Sequence, residues 1–220
     1  MDTEEGITIS PEPVALRLTV HAPTVLMKTN LWNNWARIAI EHEGEAIAAR
    51  EELKRVWSMP HASRDILTEM HPAMVCIVAC ALAFDALHAD VAPIVGRDPD
   101  PRRKGQRQRV YMLETFKVAL PTAAKWHAEL SWLVSQRDNA VHFRGLNQEP
   151  VPHPELPTNV SPQNVEFSRE TATRAVNLLF RILGAVSGGP ESDSPLAKWG
   201  HDRRHVLAEL ERLREGTATT

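Results

Sequence analysis

At 220 residues with 43% hydrophobic side chains, the chain is long enough to bury a core without disulfide staples, and it fits one domain plus arms. A formal net charge of −3 excludes a globally positive field, so any nucleic-acid site must be a local basic patch. The two cysteines, Cys76 and Cys80, are four apart in an apolar run; they read as reduced core thiols, not as a disulfide framework or a paired-cysteine zinc site.

Residues 1–29 form an N-terminal arm. Its start, Met1 to Glu5, is acidic and lacks the basic-then-apolar pattern of a signal peptide. Residues 13–28 alternate in part, with Leu16, Leu18 and Val20 against Arg17, Thr19 and His21, which predicts a short extended or β segment broken at Pro23.

A helical domain is expected over residues 30–187. Asn30 is a candidate N-cap, and Leu31, Trp32, Trp35, Ile38, Ala39, Ile47, Leu53, Val56 and Trp57 keep a helical period to about Ser58. A second helix runs from about Ser63 to about Val95, with Pro72 bending or dividing it. Its middle is apolar nearly all round, as for the centre of a bundle or a subunit interface. The longest uninterrupted apolar run, Ala73 to Phe84, ends at Asp85 and is shorter than a bilayer span, so a cytoplasmic protein without membrane contact is expected.

Residues 97–109 hold six basic and two acidic side chains and read as a charged loop. A third helix covers about Val110 to Leu120. A fourth has Pro121 as its first residue and ends near Phe143, with Gly145 as its stop. The five prolines in residues 146–166 predict a long loop. Ser168 caps a fifth helix whose apolar face is Ala175, Val176, Leu178, Leu179, Ile182, Leu183 and Val186. Residues 188–220 are a linker and an amphipathic helix, about Pro195 to Glu215, with a stripe of Val206, Leu207, Leu210 and Leu213. The predicted fold class is therefore all-α, a bundle of five to six helices with a short extended N-terminal segment.

The chemistry-bearing segment is Arg137-Asp138-Asn139-Ala140-Val141-His142, at the end of the fourth helix. An Arg, a polar residue, and a His five positions after the Arg resemble the signature of the HEPN superfamily, and Val78 to Leu87, with Asp85 after small and aliphatic residues, resembles that family's first long helix. The resemblance covers residues 64–145. It implies a metal-independent endoribonuclease, a toxin or defence effector, with Arg137 and His142 catalytic and Asp138 and Asn139 supporting. The same spacing also occurs at Arg37 to His42, but there apolar Ile38 follows the Arg inside a continuous helix.

Five positions turn an ideal helix by about 140°, so Arg137 and His142 do not share a face. In the HEPN arrangement two copies line one cleft, and a homodimer is the implied assembly. One His takes the proton of a ribose 2′-OH, another donates to the leaving 5′-oxygen, and Arg meets the phosphoryl charge, leaving a 2′,3′-cyclic phosphate. Asp138 would orient His142 or Arg137, and Asn139 would bind phosphate or hold the helix end. Arg102, Arg103, Lys104 and Arg107 of the charged loop, with Arg144, are the candidate RNA-backbone contacts.

Each of these residues also has a plainer reading. Arg and His near a helix C-terminus meet the negative end of its dipole without any chemistry, and Asp138 can simply pair with Arg137 or Arg144. His201 and His205 are one turn apart, but Arg203 and Arg204 between them would repel a cation, and no cofactor or metal is expected. The six tryptophans fall on apolar stripes and read as packing before base stacking. The alternative function is a non-catalytic helical module of the same fold that binds an antitoxin, another partner protein or a nucleotide.

Overall fold

The structure, a computed structural model, describes residues 31–57, 66–97, 114–115, 126–142, 148–187 and 196–217. Among these, the elements are α1 (Leu31–Val56), α2 (Ile66–Val91), α3 (His127–Val141), β1 (Val151–Pro152), β2 (Asn159–Val160), α4 (Pro162–Glu166), α5 (Arg169–Ser187), α6 (Ala197–His201) and α7 (Arg204–Thr217). The result is an all-α bundle with one small antiparallel hairpin, in which Val151 pairs with Val160 and Pro152 with Asn159. The predicted N-terminal strand lies outside the described residues, as does most of the third predicted helix, of which Glu114 and Thr115 are helical.

α1 and α2 form the central pair. α5 lies against both, α3 packs on α2, and α7 returns to α1. The helical period explains α1: Trp32, Ala36, Ala39, Ile40, Ala46 and Leu53 are buried along one side. α2 has no comparable polar face, and its buried residues include the small Ala73, Cys76, Ala79, Cys80 and Ala83, which let the neighbouring helices approach closely. Each larger core side chain, such as Phe84 or Leu87, contributes roughly 1.5–3 kcal/mol on leaving water.

One line of α2 faces outward. Leu67 and Val75 are 49% and 42% exposed, His71 and Ala89 are exposed, and Val78 and Leu82 are half-buried along the same row.

Pro72 neither divides α2 nor stops it; the helix is continuous from Ile66 to Val91. By length and composition alone, α2 contains an 18-residue window, of mean hydropathy 1.8, that is apolar enough to cross a membrane. In the bundle, 56% of that window is buried against other helices.

The expected start of the fourth helix at Pro121 lies outside the described residues, within which α3 begins at His127 with Trp126 at its N-cap. Two further boundaries differ from expectation. The Pro-rich stretch is not a plain loop, because it carries the hairpin and α4. Ser161 caps α4 by accepting the Gln163 N–H, and Pro162 takes the first turn, where its missing N–H costs nothing. The last helix is interrupted at Asp202 and Arg203, so α6 and α7 are separate pieces. Gly200 lets α6 pack closely on the end of α5: a Cβ there would lie 2.5 Å from the Val186 carbonyl oxygen.

The tryptophans pack. Trp32 and Trp199 are buried with ring centroids 6.2 Å apart, while Trp35, Trp126 and Trp132 lie partly buried on the core.

Candidate functional site

The end of α3 carries the motif, and α2 positions it. Arg137 Nη1 donates to Asp85 Oδ2 at 3.1 Å, across the α2–α3 contact. Its Nη2 and Nε donate to Asp138 Oδ1 at 2.9 and 3.2 Å. The Arg137 side chain remains 27% exposed. Asp138 takes the Arg137-holding role among those considered for it. Two carboxylates thus share one guanidinium, which fixes its plane and offsets much of its charge.

His142 is the C-cap of α3. Its backbone N–H donates to the Asp138 carbonyl at 2.9 Å, and φ −109°, ψ 39° takes the chain out of the helix. Its side chain is exposed, and no hydrogen bond joins it to Arg137. The neighbouring Val141 is 59% exposed, the most open large apolar side chain among the described residues. Asn139 Nδ2 donates to Glu166 Oε1 at 2.6 Å, so it ties the helix end to α4. The motif therefore has a held Arg and an outward His, brought to one helix end but not into contact. Arg102, Arg103, Lys104, Arg107 and Arg144 lie outside the described residues.

The second Arg-x4-His copy is occupied otherwise. Arg37 pairs with Glu209 on α7 at 2.9 Å, and His42 Nδ1 lies 2.7 Å from Glu45.

Sequence reasoning missed His88, one turn beyond Asp85. It is buried, with Nε2 3.3 Å from Thr115 Oγ1, and burial pushes its pKa down. Its place one turn after Phe84 and next to Leu87, on the apolar side of α2, was the available signal.

It also missed a second cluster. Arg50 of α1 has a fully buried side chain. Its Nε donates to Glu69 of α2 at 2.7 Å, and its Nη1 donates to Glu155 after β1 at 2.8 Å and to Glu170 of α5 at 3.1 Å. Glu69 Oε1 also accepts the backbone N–H of Arg169 at 2.7 Å, closing the first turn of α5 from another helix. Arg169 bonds Glu51 at 2.6 Å and Glu155 at 2.8 Å, and Lys54 lies 3.0 Å from Glu155. Burial pushes the Arg50 pKa down, but Glu69 and Glu170 outweigh it, and the net direction is up. Lys54, then Arg50 and Arg169, hold the Glu155 carboxyl at about 2. Buried His153 accepts the N–H groups of Glu155 and Leu156 on Nδ1 at 3.1 and 3.0 Å, and burial lowers its pKa. This cluster clamps the hairpin onto three helices. Its ion pairing is internal, which marks it as structural.

Among the described residues no group of three or more His, Cys, Asp and Glu side chains is arranged to hold a metal ion. Compared with known protein families, curated proteins and solved structures, the chain matches none of them.

Proposed function

We propose that this chain is a HEPN-like, metal-independent endoribonuclease that works as a homodimer, in the setting of a toxin or defence effector. One observation carries the reading: Arg137 is held by Asp85 across the α2–α3 contact, at the same helix end that presents His142 to solvent. Three of the five guanidinium N–H groups are engaged, which leaves two for a phosphoryl oxygen.

In the reaction, the 2′-oxygen attacks phosphorus as one His142 removes its proton. The 5′-oxygen leaves with a proton from the second His142, giving a 2′,3′-cyclic phosphate and a 5′-hydroxyl. One subunit has one such imidazole, so the site needs a partner copy. The outward row of α2, with Leu67, Val75, Val78 and Leu82, runs past the level of Asp85 and offers apolar surface that can meet itself about a twofold axis.

The test is incubation of purified protein with mixed RNA in chelator, comparing wild type with His142→Ala and Arg137→Ala and mapping product ends. Loss of cleavage in both variants, with cyclic phosphate ends from wild type, is expected; equal cleavage by wild type and His142→Ala refutes the proposal.

A second reading has its own support. Two carboxylates around Arg137 oppose an incoming phosphate, and among the described residues no side chain orients the His142 ring. Both favour a non-catalytic module that binds a partner protein through the same helix end. It predicts stable dimers or heteromers without cleavage.

A further inference from the structure

The surface of α5 carries a groove of about 920 Å³ bordered by α1 and α3, with Ile47 and Phe180 in its walls. Its charges are nearly all spent. Arg181 pairs with Glu129 at 2.7 Å, and Arg169 with Glu170 at 3.1 Å. Arg174 differs. Among the described arginines it alone has neither a hydrogen bond nor an ion pair; its guanidinium lies over the Trp132 ring, 3.9 Å from the centroid.

An arginine seated on an indole face keeps its N–H edge free while losing little further side-chain freedom when it binds an oxyanion. Asn177 and Arg181 continue the same exposed face of α5 over two turns, about 10 Å. With the other groove ions paired, Arg174 supplies the unmatched charge, and the complement is one anion attached to a body that suits apolar walls. The groove follows α5 from Arg181, which pairs with Glu129 near the start of α3, to Arg169, three residues after the Glu166 that Asn139 bonds at the motif end of α3.

We infer that Arg174, stacked on Trp132, binds a phosphodiester of single-stranded RNA and that the α5 groove leads the strand to the α3 helix end. The site rests on the reading of this chain as RNA-directed and adds to it a backbone contact on α5, separate from Arg137 and His142.

The experiment is fluorescence anisotropy with a labelled single-stranded RNA, using full-length protein carrying His142→Ala so that the strand stays intact. Adding Arg174→Ala is expected to weaken binding about tenfold and to lower the slope of log affinity against log salt by about one. Trp132→Leu, which removes the platform and keeps the charge, is expected to weaken binding less and leave the slope unchanged. An unaltered affinity and slope for Arg174→Ala overturns the inference, as does a parent protein that binds no RNA. The two readings can fail separately. RNA held through Arg174 but never cut by wild type removes the nuclease and leaves the groove; cleavage with binding indifferent to Arg174 does the reverse.

Discussion

Arg137 and Asp85 are 52 residues apart in the chain, and their side chains meet at 3.1 Å. Both are partly exposed, so the pair itself contributes at most about 1 kcal/mol to stability. Its effect is on direction: it turns the guanidinium of α3 toward α2, at the edge of that helix's outward apolar row.

Asp85→Ala should therefore separate activity from stability. If Arg137 serves the phosphoryl group, losing its anchor lowers RNA cleavage by about tenfold while the melting temperature moves only a few degrees. Parallel cleavage assays and thermal melts check this. Undiminished cleavage would show that Asp85 does not position Arg137.

Val75→Glu tests the assembly. Val75 is 42% exposed, so a charge there costs the monomer's core little, whereas a twofold contact would place two carboxylates in an apolar interface. Sedimentation should shift from dimer to monomer, and any cleavage should fall with it. A dimer unchanged by the substitution places the interface elsewhere.

Arg50→Met leaves Glu69 buried without its cation, and removing one partner of a buried pair typically costs about 3–5 kcal/mol. Urea unfolding should show that loss. Replacing Glu69 by Met as well should recover part of it, because the uncompensated carboxylate is then gone.

Acid should destabilise the fold in two stages. The folded pKa of His153 is lowered from 6.5, so as pH falls through that value the unfolded chain gains a proton that the folded chain refuses, and stability drops. Glu155 sits at about 2 in the fold against 4.5 otherwise, so its contribution is complete above 4.5 and is lost as pH falls toward 2. Melting temperatures from about pH 8 to about pH 3 should show both. His153→Asn should flatten the upper stage, leaving the share of His88, and spare the lower one.

Gly200→Ala should destabilise by roughly 1–3 kcal/mol, because the added methyl meets backbone at Val186, which cannot rotate away as a side chain would. A chemical melt of the single variant decides this; a neutral effect would mean that the α5–α6 corner adjusts freely.

Much of the bundle is legible in the residues. The predicted apolar face of the fifth helix, from Ala175 to Val186, is buried in α5, and the all-round apolarity of α2 fits its central place. Helix ends were less so. Pro72 marks a break by propensity, but tertiary packing carries α2 through it, and the five prolines after Asn147 conceal a hairpin too short to show alternation. At the motif, local pairing of Arg137 with Asp138 could be anticipated from adjacency. The Arg50 cluster could not, because an arginine within Ala48-Ala49-Arg50-Glu51-Glu52 has the look of a surface residue until Glu69, Glu155 and Glu170 arrive from elsewhere in the chain. Nor could the seat of Arg174 on Trp132, because the two come together only when α3 and α5 pack.

The burial of Cys76 gives the molecule a built-in clock. The thiol is wholly enclosed, its Sγ lies 3.8 Å from the Ala172 carbonyl of α5, and burial holds its pKa far above the ordinary thiol range. Alkylating reagents need the thiolate and a path to it, so the native chain should be inert to them. The rate at which iodoacetamide marks Cys76 would then time how often the packing around α2 opens, with no label engineered and no residue changed.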